Sequence, residues 1–163
     1  MALTVEDGTG LSDAESYIEL TFADSYHSDR GNSAWDAASQ SEREQALRKA
    51  VDYIDTAYRF RGIRLEDDQA LEFPRDDLYD RAGRKVEGVP TAVKHAQAEA
   101  ALVLLSQDLY SVAKRGGRIA RVRVGPIEEQ YEGGAAARPD PQKVTALLSG
   151  LTTGGAGIPV RRS

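Results

Sequence analysis

"SEREQALRKAVDYIDTAYRFRG" occupies residues 41–62, and its reading decides the fold. Leu47, Ala50, Val51, Ile54, Ala57 and Tyr58 recur at helical spacing and make one apolar face. Arg43, Arg48, Lys49, Asp52 and Asp55 fall mostly off that face. Ser41 followed by Glu44 predicts a capping box, and Gly62 predicts the end of the helix. Working outward, a second long helix is predicted from Pro90, suited to a first helical turn, to about Tyr110. Its stripe is Val93, Ala96, Ala100, Val103 and Leu104, extended by Leu105 and Leu109, and alanines 96, 98, 100 and 101 let a neighbouring helix come close. This is the expected central core helix. A shorter helix is predicted from Thr21, as cap, to Arg30, with Gly31 as its stop. Another is predicted after Asp140-Pro141, carrying Val144, Leu147 and Leu148.

The connections are equally informative. Residues 1–15 read as extended with little to bury. Residues 63–88 show no helical period and have turn signals at Pro74-Arg75-Asp76 and at Ala82-Gly83. A connection this long inside a compact domain is often functional, and a surface facing a partner is the expectation. Arg118 to Val124 alternates in type, as do Ile127, Glu129 and Tyr131, and Gly125-Pro126 lies between the two runs. Period two on both sides of a turn predicts a β-hairpin at about 118–131. The fold class is therefore mainly α: a small helical bundle with a β-hairpin and extended N- and C-terminal arms. Residues 1–151 form one domain, and 152–163 form a flexible C-terminal tail.

Bulk composition narrows the function classes. The 163 residues carry a net charge of -5, which argues against generic binding to a DNA backbone. There is no cysteine, so neither disulfide nor thiolate chemistry is open to the chain. No signal peptide is read at the N-terminus, and no apolar run is long enough to span a bilayer. His27 and His95 have no partner histidine at ligand spacing, so no metal or other cofactor is expected. Asp67-Asp68 and Asp76-Asp77 read as solvated turn acids, and no GxSxG or phosphate-loop motif occurs. The expectation is a protein that is not an enzyme.

One local feature resists the overall acidity. Lys114, Arg115, Arg118, Arg121 and Arg123 place five cations within ten residues. Bases of single-stranded DNA stack on aromatics interleaved with such charges, and none lies between Tyr110 and Tyr131. With a two-residue turn, Arg123 is expected opposite Glu128 and Val124 opposite Ile127. Opposite charges across a hairpin contribute about 0.2–1 kcal/mol. The charges can pair within the hairpin, pair with a neighbouring copy's hairpin, or simply face solvent. Arg118, Arg121, Arg123, Ile127, Glu128 and Tyr131 are the expected inter-subunit hairpin residues. Trp35 and Phe73 each sit in a loop-like stretch, where such an aromatic usually plugs the edge of a core and alternatively anchors an interface; with Arg75 they are the candidate loop-interface residues.

Five stretches, in order, carry a resemblance. They are "SDAESYIELTFADSYHSDRG", "ALRKAVDYIDTAYRFRG", "QALEFPR", "VPTAVKHAQAEAAL" and "VGPIEEQY". Together they resemble the head–tail adaptor (connector, head-completion) proteins of tailed bacteriophages and gene transfer agents. Some members carry a DnaT-like single-stranded-DNA-binding label. The resemblance covers about residues 11–150. It implies a virion protein of the neck, assembled in the host bacterial cytoplasm as a ring of twelve copies. Such a ring extends the DNA channel beneath the portal and receives a stopper or tail-completion protein. DNA passes through its lumen without sequence-specific binding, and no membrane is involved. By the same analogy, the tail residues Ile158, Pro159, Val160, Arg161 and Arg162 dock on the portal. The alternative is a single-stranded-DNA-binding protein using the basic strip 114–123.

Overall fold

A computed structural model of the protein describes residues 3–106 and 142–153, together with the backbone of the strands Val122–Val124 and Ile127–Glu129. The described helices are α1 (Leu20–Ser28), α2 (Ser33–Ala37), α3 (Gln40–Ala57), α4 (Thr91–Ser106) and α5 (Gln142–Leu148). Two short antiparallel pairs accompany them: β1 (Ile63–Arg64) with β2 (Arg75–Asp76), and β3 (Val122–Val124) with β4 (Ile127–Glu129). The molecule is a mainly α bundle with a hairpin, as its periodicities predict. No helix among the described residues is long and apolar enough to cross a membrane.

The centre is α4. Its residues 96–101 are buried in an unbroken run, which requires neighbours on every side of the helix. It packs chiefly against α3 and α5. The predicted alanines 96, 98, 100 and 101 are all fully covered, and their small side chains let the flanking backbones approach. Leu47, Ala50, Val51 and Ile54 of α3 supply the opposing face, and Val144 and Leu148 of α5 close the other side. The Tyr58 hydroxyl meets Thr145 Oγ1 at 2.8 Å and ties the end of α3 to α5.

Inside this apolar packing sits Gln97. Its Oε1 accepts from the Tyr17 N–H at 2.9 Å, and its Nε2 donates to Ser16 Oγ at 2.7 Å and to the Leu47 carbonyl at 3.1 Å. One amide thus joins α3, α4 and the N-terminal segment. That segment is held more firmly than its composition suggests. Glu6 is buried, and its carboxylate accepts from the N–H groups of Gly8, Gly10 and Leu11 at 2.8–2.9 Å. Val5 and Ser16 form a parallel bridge. The extended arm expected to have little to bury is a belt on the core.

Several boundaries differ from expectation. The capping box on α3 is Ser39 with Glu42, two residues earlier than Ser41 with Glu44. Both frames exist in the sequence. The earlier one prevails because Glu44 turns inward, where Gln40 donates to it at 2.8 Å. The first helix begins at Leu20 with Glu19 as its cap residue, and Thr21 lies inside it. Gly62 does not end α3, which stops at Ala57. It serves instead at φ 75°, where an added Cβ would collide with the Asp76 carbonyl. Thr152 and Thr153, expected in the tail, pair with Phe60 and Arg59, so the domain reaches at least Thr153. The predicted stretch of α4 beyond Ser106, the caps at Asp140-Pro141 and the tail from 154 lie outside the described residues.

Gln97→Leu keeps the volume but leaves the Tyr17 N–H buried without a partner and the Leu47 carbonyl with its helical bond alone. Urea denaturation is expected to show a loss of about 1–3 kcal/mol, on the scale of one unsatisfied buried group. A loss under about 1 kcal/mol would mean that Gln97 is not the tie between the N-terminal segment and α3.

Candidate interaction surfaces

The long connection from Arg59 to Val89 is an ordered flap. Its order comes from buried side chains that stand in for a β-ladder. Arg75 donates to the carbonyls of Arg61 and Gly62 at 2.9 Å each, and to Glu72 through both the carbonyl at 3.1 Å and the carboxylate at 2.6 Å. Gln69 is buried and donates to the carbonyls of Leu71 and Pro74, while its Oε1 accepts from the Glu66 N–H. Phe73 and Leu78 are fully covered, and Phe73 packs edge-on against both Tyr17 and Phe60. Asp55 receives the middle of this segment. Its Oδ1 accepts from the Tyr17 hydroxyl at 2.7 Å and its Oδ2 from the Glu72 N–H at 3.1 Å. Burial pushes the Asp55 carboxyl up to about 6 and the Tyr17 phenol well above its usual range.

These contacts correct the loop-interface expectation. Trp35 lies on the short helix α2 and is fully buried, its ring tilted against His27, with its Nε1 donating to Asp24 at 2.8 Å. Phe73 is a core residue, and the Arg75 side chain is only 9% exposed. All three face inward: Trp35 closes the core beside α1, while Phe73 and Arg75 anchor the flap, which has only a two-residue ladder of its own. What the flap presents outward is different. Ile63 is 64% exposed, Tyr79 46% and Leu65 43%. Ile63 lies directly across from Asp76, Asp76 pairs with Lys85 at 2.8 Å, and Lys85 is bridged to Tyr79. The signal that could have found them is the short alternation Ile63-Arg64-Leu65-Glu66, which reads as a strand edge.

The second surface is the hairpin. The register places Arg123 opposite Glu128, Val124 opposite Ile127 and Val122 opposite Glu129. The first two pairings are those predicted from a two-residue turn. Arg118, Arg121, Tyr131 and the rest of the basic strip lie outside the described residues, as do Ile158, Pro159, Val160, Arg161 and Arg162.

The polar cluster beside α1 is internal. His27 donates from Nε2 to the Ala98 carbonyl at 3.1 Å, and its Nδ1 faces the Asn32 amide at 3.0 Å, which fits the neutral ring. Burial lowers its pKa accordingly. The Tyr26 hydroxyl donates to Glu99 at 2.7 Å, Lys143 joins Glu99 from α5, and burial with this carboxylate raises Tyr26 to about 12. Arg30 lies over the Tyr26 ring at 3.5 Å. Both histidines are thus placed among aromatic rings, and no group of three or more His, Asp or Glu is gathered at metal distance among the described residues.

The family model described as "Putative DnaT-like ssDNA binding protein" matches residues 1–163. No curated protein and no solved structure matches the chain.

Asp55 gives a pH signature. Its folded pKa stands above its ordinary value of 3.8, so the folded state holds the proton more tightly than the unfolded one. Its contribution to stability is present at low pH and is lost as pH rises from about 4 to about 6, by up to about 3 kcal/mol. Carboxylates held low by hydrogen bonds, such as Glu42 by Ser39 and Asp76 by Lys85, act with the opposite sign at lower pH. The stability difference between wild type and Asp55→Asn, measured by urea titration at each pH, should therefore decline across that window and be flat above it. A difference independent of pH would place the raised pKa elsewhere.

Proposed function

The chain belongs to the putative DnaT-like single-stranded-DNA-binding family, and we propose that within it the protein works as a structural head–tail adaptor of a tailed phage. In this reading it forms a ring, of twelve copies by the resemblance above, between the portal and the stopper or tail proteins, and extends the DNA channel. The observation that supports this most is the hairpin register, in which a basic strand residue, Arg123, faces an acidic one, Glu128. A two-stranded hairpin with unlike strands has two unlike edges, and copies that repeat around an axis need unlike edges that fit each other. The net charge of -5 supports a channel wall that does not hold passing DNA. The apolar side chains presented by the flap support a chain whose surface is completed by assembly. Beyond Thr153 the tail, with Ile158, Pro159, Val160, Arg161 and Arg162, is the segment proposed to dock on the portal.

A second reading, single-stranded-DNA binding through residues 114–123, is favoured by the family's description and by the five cations there. The two readings separate experimentally. Electron microscopy of the protein mixed with its portal is expected to show a ring or portal-bound density. A salt titration with single-stranded DNA is expected to show only weak binding. Micromolar or tighter affinity that disappears in Arg121→Glu/Arg123→Glu would move the function to the second reading.

Two variants test the first reading directly. Arg123→Glu is expected to weaken assembly, and adding Glu128→Arg is expected to restore part of it, since a pair across the hairpin contributes about 0.2–1 kcal/mol. No recovery in the double variant would remove the pairing. Truncation after Thr153 is expected to leave the thermal midpoint unchanged, because the last paired residues are retained, and to abolish attachment to the portal.

A further inference from the structure

Residues 63–68 of the flap are exposed without a break. Ile63 and Leu65 are held outward by β1–β2 and by the Leu65 N–H, which donates to the Pro74 carbonyl at 3.2 Å. Glu66, Asp67 and Asp68 follow, and none of the three has an ion-pair partner among the described residues. The Arg64 guanidinium between them is turned onto the Gln69 carbonyl. The patch is therefore apolar with three carboxylates against one guanidinium, and it suits an occupant that brings apolar side chains followed by positive charge. A segment of that composition starts beside it. The Thr153 N–H donates to the Arg59 carbonyl at 2.9 Å. Arg59 is four residues before Ile63, a span of at most about 14 Å. Past Thr153 the chain reads Gly154-Gly155-Ala156-Gly157, then Ile158-Pro159-Val160, then Arg161-Arg162. Five extended residues carry Ile158 up to about 18 Å from Thr153, and a glycine-rich lead bends readily.

We infer that in the free protein the tail folds back on the flap of its own copy, Ile158 and Val160 against Ile63 and Leu65, Arg161 and Arg162 against Glu66, Asp67 and Asp68. This rests on the reading above that the tail is the docking segment, and adds that the flap holds the tail until its partner is offered. Reach selects the copy. The short link from Thr153 gives the tail an effective concentration on the order of millimolar at its own flap, far above that of a second molecule in dilute solution. The acid-rimmed groove of Leu3, Val5 and Leu20 lies at the other end of α3, about 27 Å away, and is the poorer match in distance. The contact is weak by construction. It covers two apolar side chains, and its ion pairs are exposed and screened by salt. A partner that binds the tail displaces only that much, and its binding frees the flap at the same time.

The test uses the full chain without any portal. The chain has no cysteine, so introduced pairs report proximity cleanly. Leu65→Cys/Val160→Cys is expected to close an intramolecular disulfide with oxidised glutathione about tenfold faster than Arg84→Cys/Val160→Cys, whose flap partner is exposed but outside the patch. Adding Arg161→Glu/Arg162→Glu is expected to remove that advantage, and adding Glu66→Lys/Asp67→Lys/Asp68→Lys as well is expected to return part of it. Amide NMR gives a second measurement on unmodified side chains. Truncation after Thr153 is expected to shift the signals of residues 63–68 as well as those of Arg59 to Arg61 beside the cut, and high salt is expected to produce the same shifts at 63–68. Equal closure rates for the two cysteine pairs, or shifts confined to the neighbourhood of the cut, overturn the contact. Disulfide-linked dimers in place of closed monomers put the tail on a second copy and overturn it too. Portal attachment is measured separately: attachment that survives the truncation removes the docking role of the tail while the fold-back contact stands, whereas failed closure with attachment lost on truncation removes the contact alone.

Discussion

A chain that runs beside a hydrophobic core without joining a helix or a sheet still has to satisfy its buried N–H and C=O groups. More of this protein depends on that constraint than on any single apolar contact. The N-terminal belt and the flap from Arg59 to Val89 have almost no ladder of their own. Their hydrogen bonds come from a few side chains spent on backbone: Glu6, Gln69, Arg75, Gln97 and Asp55. Each is polar or charged, and each lies at least partly out of water. Removing one leaves orphaned backbone groups as well as a lost bond, which is the costlier half of the exchange.

The same constraint explains what the surface looks like. Phe60, Leu71, Phe73, Leu78 and Arg75 point inward to fix the flap, which leaves Ile63, Leu65 and Tyr79 pointing outward. A floppy loop could fold Ile63 and Leu65 back onto the core. One pinned at Gly62, where only glycine fits between the turn and the Asp76 carbonyl, cannot. Exposure at these positions is therefore a fixed property of the fold. In a protein of an assembly, such a fixed apolar projection is a natural point of contact.

Charge is organised on a similar principle. The carboxylates of Asp24, Glu15, Glu72, Asp76 and Asp80 are each matched with an arginine or lysine nearby. Most of these pairs are solvent-exposed and contribute little to stability. They do neutralise the described surface locally and leave no broad basic face on it. The hairpin, where unlike charges stand across from one another, continues the pattern. A family description that points to single-stranded DNA and a chain with a net charge of -5 meet in this segment, and the balance between them turns on what its cations pair with.

Sequence by itself determined the helical class, the alanine-lined central helix, the apolar face from Leu47 to Ile54 and the hairpin register. All of these follow from periodicity, which is a local property of the chain. It also held two capping frames for α3, and the predicted one, Ser41 with Glu44, was displaced by Ser39 with Glu42 because Glu44 found a place inside. Trp35 and Phe73 were legible as aromatics suited either to plugging the edge of a core or to an interface, Arg75 only as a turn residue, and Glu6 not as buried at all. Their positions depend on partners between 2 and 56 residues away in sequence, such as Gly8 for Glu6, Gly62 for Arg75 and Tyr17 for Phe73. Only the tertiary structure decided which side of the flap faces water, because the short alternation from Ile63 to Glu66 marks two faces without saying which is inside. That distinction was made by the side chains that satisfy its backbone.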